Sequence, residues 1–110
     1  MRLFKLGLAG AAYACLKLDV NRTLSGGTIT SFQVWFTENG TAQGTCSSSY
    51  TCCSDQNYCL TYQRSAFFFY VFDFTSPSQP EPKTYYFWQN FRELTGPLRK
   101  NFRDAKLIGC

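Results

Sequence analysis

Four of the six cysteines crowd into one short stretch, Cys46, Cys52, Cys53 and Cys59, and their C-x5-C-C-x5-C spacing admits two chemistries. Four thiolates can hold a zinc ion. Zinc ribbons, however, bring their ligands as C-x2-C pairs on tight turns, and neither half of this array has that spacing. An even number of cysteines in a chain of 110 residues favours disulfides instead. Six cysteines allow roughly fifteen complete pairings. Neighbouring Cys52 and Cys53 seldom join each other, so each is expected to reach a different partner. A bridge from one of them to Cys46 or Cys59 would tie the loop to a flanking strand. Cys15 and Cys110 stand far from the array and are the expected remaining pair. No metal and no cofactor is expected.

The sequence contains no histidine. That removes the usual general base, proton shuttle and metal ligand near neutral pH, and with it His-assisted proteases and ribonucleases, zinc hydrolases and His-ligated haem. Paired carboxylates can hydrolyse glycosides without histidine. Glu38, Asp55 and Asp73 are the candidates on or beside strands, but nothing in the sequence brings two of them together. Asp73, at the end of the apolar Ala66 to Phe74 run, reads as a hydrogen-bonded strand terminus. The Ser47-Ser48-Ser49 run has no lysine near it in sequence to activate a hydroxyl.

The formal charge of +4 is unevenly placed. Residues 1–14 carry Arg2 and Lys5, then an apolar run and Ala12-Tyr13-Ala14, the layout of a secretory leader with a mature chain starting at Cys15. A retained N-terminal helix is the alternative. The apolar run from Leu6 to Leu16 is shorter than the ~20 residues needed to span a bilayer. Residues 15–82 are mildly acidic, and the remaining positive charge falls in residues 83–110, on Lys83, Arg92, Arg99, Lys100, Arg103 and Lys106. A local excess this small argues against nucleic acid; it leaves a membrane surface open as a contact for the basic C-terminal segment.

The elements that must position these residues are mainly β. Leu16, Leu18 and Val20 alternate with polar residues, as a strand with one buried face requires. Thr28 to Thr37 puts Phe32, Val34 and Phe36 on one face and ends at Asn39-Gly40, the favoured two-residue hairpin connection, so Thr41 to Cys46 should return antiparallel. Tyr58, Leu60 and Tyr62 alternate again. Ala66 to Phe74 is apolar on both faces and reads as one central strand. Ser76 to Pro82 reads as an extended connection and Thr84 to Trp88 as a further strand. Phe87, Phe91, Leu94, Leu98, Phe102 and Ala105 fall at helical spacing, interrupted by Gly96-Pro97, which predicts a short helix, a break, and a second helix starting near Pro97. The expected fold is a small antiparallel β-sandwich or barrel over residues 15–110, stapled by disulfides, with a short helical C-terminal segment.

Eleven Phe, seven Tyr and two Trp are more rings than a domain of this size can hide. Trp35, Tyr50, Tyr86 and Trp88 are therefore candidates for partner contact, together with Arg92, Arg99 and Arg103 of the basic segment. Asn21-Arg22-Thr23 and Asn39-Gly40-Thr41 match the glycosylation sequon, a short pattern of low specificity.

The strand Thr28 to Thr37, the Asn39-Gly40-Thr41 hairpin, Cys46, a Tyr-containing loop, Cys53-Ser54-Asp55 and a further aromatic strand together resemble small cysteine-rich secreted fungal β-proteins, the Alternaria major-allergen family and similar effector-like proteins. The resemblance covers about residues 28–74. It implies a non-enzymatic extracellular protein that binds a host or cell-wall protein or glycan. The alternatives are an accessory structural subunit of a membrane or organellar assembly and, behind it, a histidine-independent hydrolase.

Overall fold

A computed structural model describes residues 15–25, 28–66, 68–89 and 99–108. They form eight strands: β1 (Leu16–Ser25), β2 (Thr28–Glu38), β3 (Thr41–Ser48), β4 (Thr51–Cys53), β5 (Cys59–Ala66), β6 (Phe69–Ser76), β7 (Gln79–Trp88) and β8 (Arg99–Ile108). One sheet has the order β3-β2-β1-β8, the other β4-β5-β6-β7, and every pairing is antiparallel. Neighbours are consecutive in sequence except where β8 returns beside β1. The strands thus form an up-and-down antiparallel sandwich of two four-stranded sheets, with β3 and β8 at the edges of one and β4 and β7 at the edges of the other.

The alternation seen in the sequence sets the inner faces. Leu16, Leu18, Val20 and Leu24 of β1 and Phe32, Val34 and Phe36 of β2 meet Leu60, Tyr70, Phe72, Phe74 and Phe87 of the opposite sheet. Ring pairs span the gap, Phe32 with Phe72 at 5.3 Å and Phe36 with Phe74 at 6.1 Å between centroids. Each such side chain contributes about 1.5–3 kcal/mol through removal from water. Asn39 and Gly40 have φ of 55° and 80°, the two positive angles that the β2–β3 hairpin needs. The backbone N–H of Asn39 donates to the carbonyl of Cys15 at 2.9 Å, and its side-chain Oδ1 accepts from the N–H of Cys15 at 3.1 Å, fastening the start of β1 to this hairpin.

Three expectations are corrected. Residues 99–108 are strand β8, not a helix, and residues 90–98, where the break was expected, lie outside the described residues. All ten residues of β8 pair with β1 from Ser25↔Arg99 to Leu16↔Ile108. Without that partner β1 would expose one row of backbone donors and acceptors, and this long-range pairing outweighs the helical spacing of a few apolar residues. Ala66 to Phe74 is not one strand: the chain reverses within it, so that Ala66 pairs with Phe69. The proline-rich stretch does not merely connect. Ser76 and Gln79 pair across a turn at Pro77-Ser78, and β7 continues through Pro80 and Pro82. Proline is tolerated there because β7 is an edge strand and its pairing is irregular between Phe74 and Ser76.

Candidate functional site

The cysteine array sits at the β3/β4 seam. Cys46 on β3 is bonded to Cys52 on β4, which joins the two sheets, and Cys53 is bonded to Cys59 directly opposite it on β5. Cys52 and Cys53 thus reach different partners. Joined in pairs, these sulfurs offer no thiolates to a metal. Cys15 is also disulfide-bonded; Cys110, its expected partner, lies outside the described residues. The seam is close-packed. Gly44, at φ +94°, lies in an irregular stretch of β3, where a Cβ would stand 2.6 Å from Oε1 of Gln56 and 2.9 Å from Cβ of Ser54.

The outward face of the first sheet gathers Trp35, Asp19 and Arg103 across β2, β1 and β8. Arg103 donates from Nε and Nη2 to the two carboxylate oxygens of Asp19, at 3.0 and 2.9 Å, while its guanidinium carbon lies 4.1 Å from the centroid of Trp35. The hydrogen bonds to Asp19 hold the Arg103 proton more tightly than usual. Two residues selected as partner contacts are therefore engaged with each other. Asn21 is half-buried on β1, in register with Gln33 and Arg103. Arg99 opens β8, and Arg92 lies outside the described residues.

The outward face of the second sheet differs. Trp88 is 59% exposed, Phe68 47% and Tyr86 46%. Phe69 stands edge-on to both Trp88 and Tyr86, with centroids at 5.4 and 5.7 Å, and Phe68 stacks on Trp88 at 5.9 Å with an interplanar angle of 12°. Further along the same face, Oδ1 of Asp73 accepts from the hydroxyl of Thr84 at 2.7 Å and Oδ2 accepts from the side-chain amide of Gln63. Tyr50, also exposed, stands apart from this cluster in the link between β3 and β4.

Glu38 ends β2 and accepts a hydrogen bond from the hydroxyl of Tyr58. Burial, the hydrogen bond to Glu38 and the carboxylate's charge push the Tyr58 hydroxyl up to about 12. Glu38 also lines a cavity of about 400 Å³ at the end of the sandwich, with Leu16, Phe74, Lys83, Tyr85 and Ile108. Burial raises Tyr85 above the ordinary tyrosine range. Asp55 is exposed in the turn before Tyr58. Of the three candidate carboxylates, Asp73 thus faces outward from the second sheet, away from the cavity that Glu38 enters.

Sequence reasoning missed Arg22. It is 0% exposed, on the inward face of β1, paired with Asp104 of β8 and with its guanidinium carbon 4.6 Å from the centroid of buried Tyr70. The signal was available: the period-2 pattern of Leu16, Leu18 and Val20, carried on to Leu24, puts Arg22 inside.

Comparison of the chain with protein-family models, with curated proteins and with solved structures returns no match.

Proposed function

We propose that the chain is a non-enzymatic extracellular binding domain, effector- or allergen-like, whose partner is a protein or a glycan. The observation that carries this reading is the pair of bridges, Cys46–Cys52 across the β3/β4 seam and Cys53–Cys59 between β4 and β5. Disulfides of this structural kind form and persist in oxidising compartments and are rare where thiol pools are reducing. A leader over residues 1–14 and the resemblance over residues 28–74 belong to the same reading. A sandwich braced in this way presents its outward rings from strands, where a partner gains contact area at little cost in lost side-chain freedom.

Expression of the full chain, with its own N-terminus, in a eukaryotic secretory host tests the reading by intact mass before and after reduction. The expected product appears in the medium, begins at Cys15 and gains six hydrogens on reduction. A product retained in the cell with residues 1–14 attached and its thiols free would overturn the proposal.

A further inference from the structure

The geometry points to a glycan-binding platform on the outward face of β5-β6-β7, in which Trp88, Tyr86 and the Gln63–Asp73–Thr84 cluster bind a neutral, extended oligosaccharide. The inference rests on the extracellular binding reading and names its ligand class.

Register assembles the platform. Phe69, Val71 and Asp73 on β6 lie opposite Trp88, Tyr86 and Thr84 on β7, while the intervening Tyr70, Phe72 and Phe87 fill the core. On β5 the register shifts between Tyr62 and Arg64, and Arg64 pairs with Val71. The extra residue at this bulge is Gln63, so Gln63 and Arg64 both serve the outward face. Val71 is only 1% exposed although it points outward, flanked in register by Arg64 and Tyr86. The face is therefore a continuous surface, with rings at one end and hydrogen-bonding groups at the other. Trp88, Tyr86 and Thr84 are alternate residues of one strand, so the row is about 13 Å long, the reach of a short oligosaccharide.

Its chemistry matches a sugar chain on both counts. A pyranose ring has a flat C–H face and a rim of hydroxyls. The C–H face needs an exposed, immobilised aromatic plane, and Trp88 is held by Phe68 on its face and by Phe69 edge-on. The hydroxyls need acceptors and donors already oriented. Each Asp73 oxygen accepts one bond from Thr84 or Gln63 and keeps a second lone pair, and the Gln63 amide keeps a further N–H.

Charge selects against the other occupants. Among the described residues this face carries one guanidinium, Arg64, and one carboxylate, Asp73, which suits a neutral ligand. An anionic bilayer or a nucleic acid requires a cluster of cations. The basic residues of β8 lie in the other sheet, where Arg103 is tied to Asp19.

The test uses the full oxidised chain and a panel of neutral probes: cello-, laminari-, xylo-, manno- and chito-oligosaccharides. The chain has two tryptophans, so Trp35→Phe leaves Trp88 as the fluorescent reporter. At least one probe is expected to shift that emission saturably. Trp88→Ala and Tyr86→Ala, read by calorimetry, should each weaken binding at least tenfold, Asp73→Ala severalfold, and Tyr50→Ala not at all; a retained circular dichroism spectrum checks folding. The platform is overturned if no probe binds at millimolar concentration, if binding survives Trp88→Ala, or if phosphatidylserine vesicles or a protein are bound through Trp88 while every sugar fails. In each of those cases a secreted, oxidised chain still stands as an extracellular binder. An intracellular chain with free thiols defeats that broader reading whatever the sugars do.

Discussion

The guanidinium of Arg22 is fully buried, yet its partner Asp104 has a side chain 48% exposed, so their ion pair runs from the core of the sandwich to its surface. It also joins β1 to β8, residues 82 positions apart. Removing Asp104 takes a charge-assisted contact from a buried guanidinium, and because Asp104 is itself half-exposed the cost is about 1–3 kcal/mol. Asp104→Ala should lower unfolding stability in urea by that amount.

The two bridges of the array can be separated by double substitutions. Each closes a short loop between cysteines six residues apart in sequence. On the chain-entropy relation a loop of that size contributes about 2 kcal/mol. Cys46→Ser with Cys52→Ser opens the seam between sheets, whereas Cys53→Ser with Cys59→Ser loosens only a pair within one sheet. Urea midpoints should fall by similar amounts in both. Hydrogen exchange should separate them, with faster exchange in β3 only when Cys46–Cys52 is absent.

Gly40 and Gly44 both have positive φ but differ in surroundings. A Cβ on Gly40 meets nothing within 4 Å, while one on Gly44 meets Gln56 and Ser54. Gly40→Ala should cost about 1 kcal/mol, the strain of the left-handed region alone. Gly44→Ala adds a steric clash at the seam and should cost about 2–3 kcal/mol. Thermal or urea unfolding of the two variants side by side checks the order; equal losses would contradict the close packing at Gly44.

Tyr58 makes stability depend on alkaline pH. Its hydroxyl is pushed up to about 12 in the folded chain, against about 10 for an unperturbed tyrosine. The folded state therefore holds the proton more tightly. That contribution is complete below the unfolded value and is lost as pH climbs through the folded one. Between about pH 10 and about pH 12 the urea midpoint of the native chain should fall more steeply than that of Tyr58→Phe. At neutral pH the variant should be less stable by about 1–2 kcal/mol, for want of the hydrogen bond to Glu38.

The parts of the fold legible in the sequence are those fixed locally. Phe32, Val34 and Phe36 alternate on β2, and Asn39-Gly40 closes the hairpin by its own backbone preference. The Cys52-Cys53 pair points in two directions because adjacent strand residues do. What escaped depends on distant partners. On β8, Phe102, Asp104, Lys106 and Ile108 share a face that places charge toward the core, an unattractive strand until Arg22 is known to lie opposite. Phe102 and Ala105 suit a helix equally well by spacing. In Tyr85-Tyr86-Phe87-Trp88 the alternation was plain, but which two rings face outward is set by register with β6. Reversal within Ala66 to Phe69 carries no glycine or proline to mark it.

The return of β8 to β1 also sets an order in time. During synthesis β1 and β2 can pair early, but one whole edge of β1 waits until residues 99–108 have been made. Until then the half-built sheet offers an open strand edge, a state that a chaperone or a neighbouring chain can recognise. Completion of this sheet is therefore a late event: β8 supplies the missing edge and, with Asp104, an ion pair to Arg22 in one step.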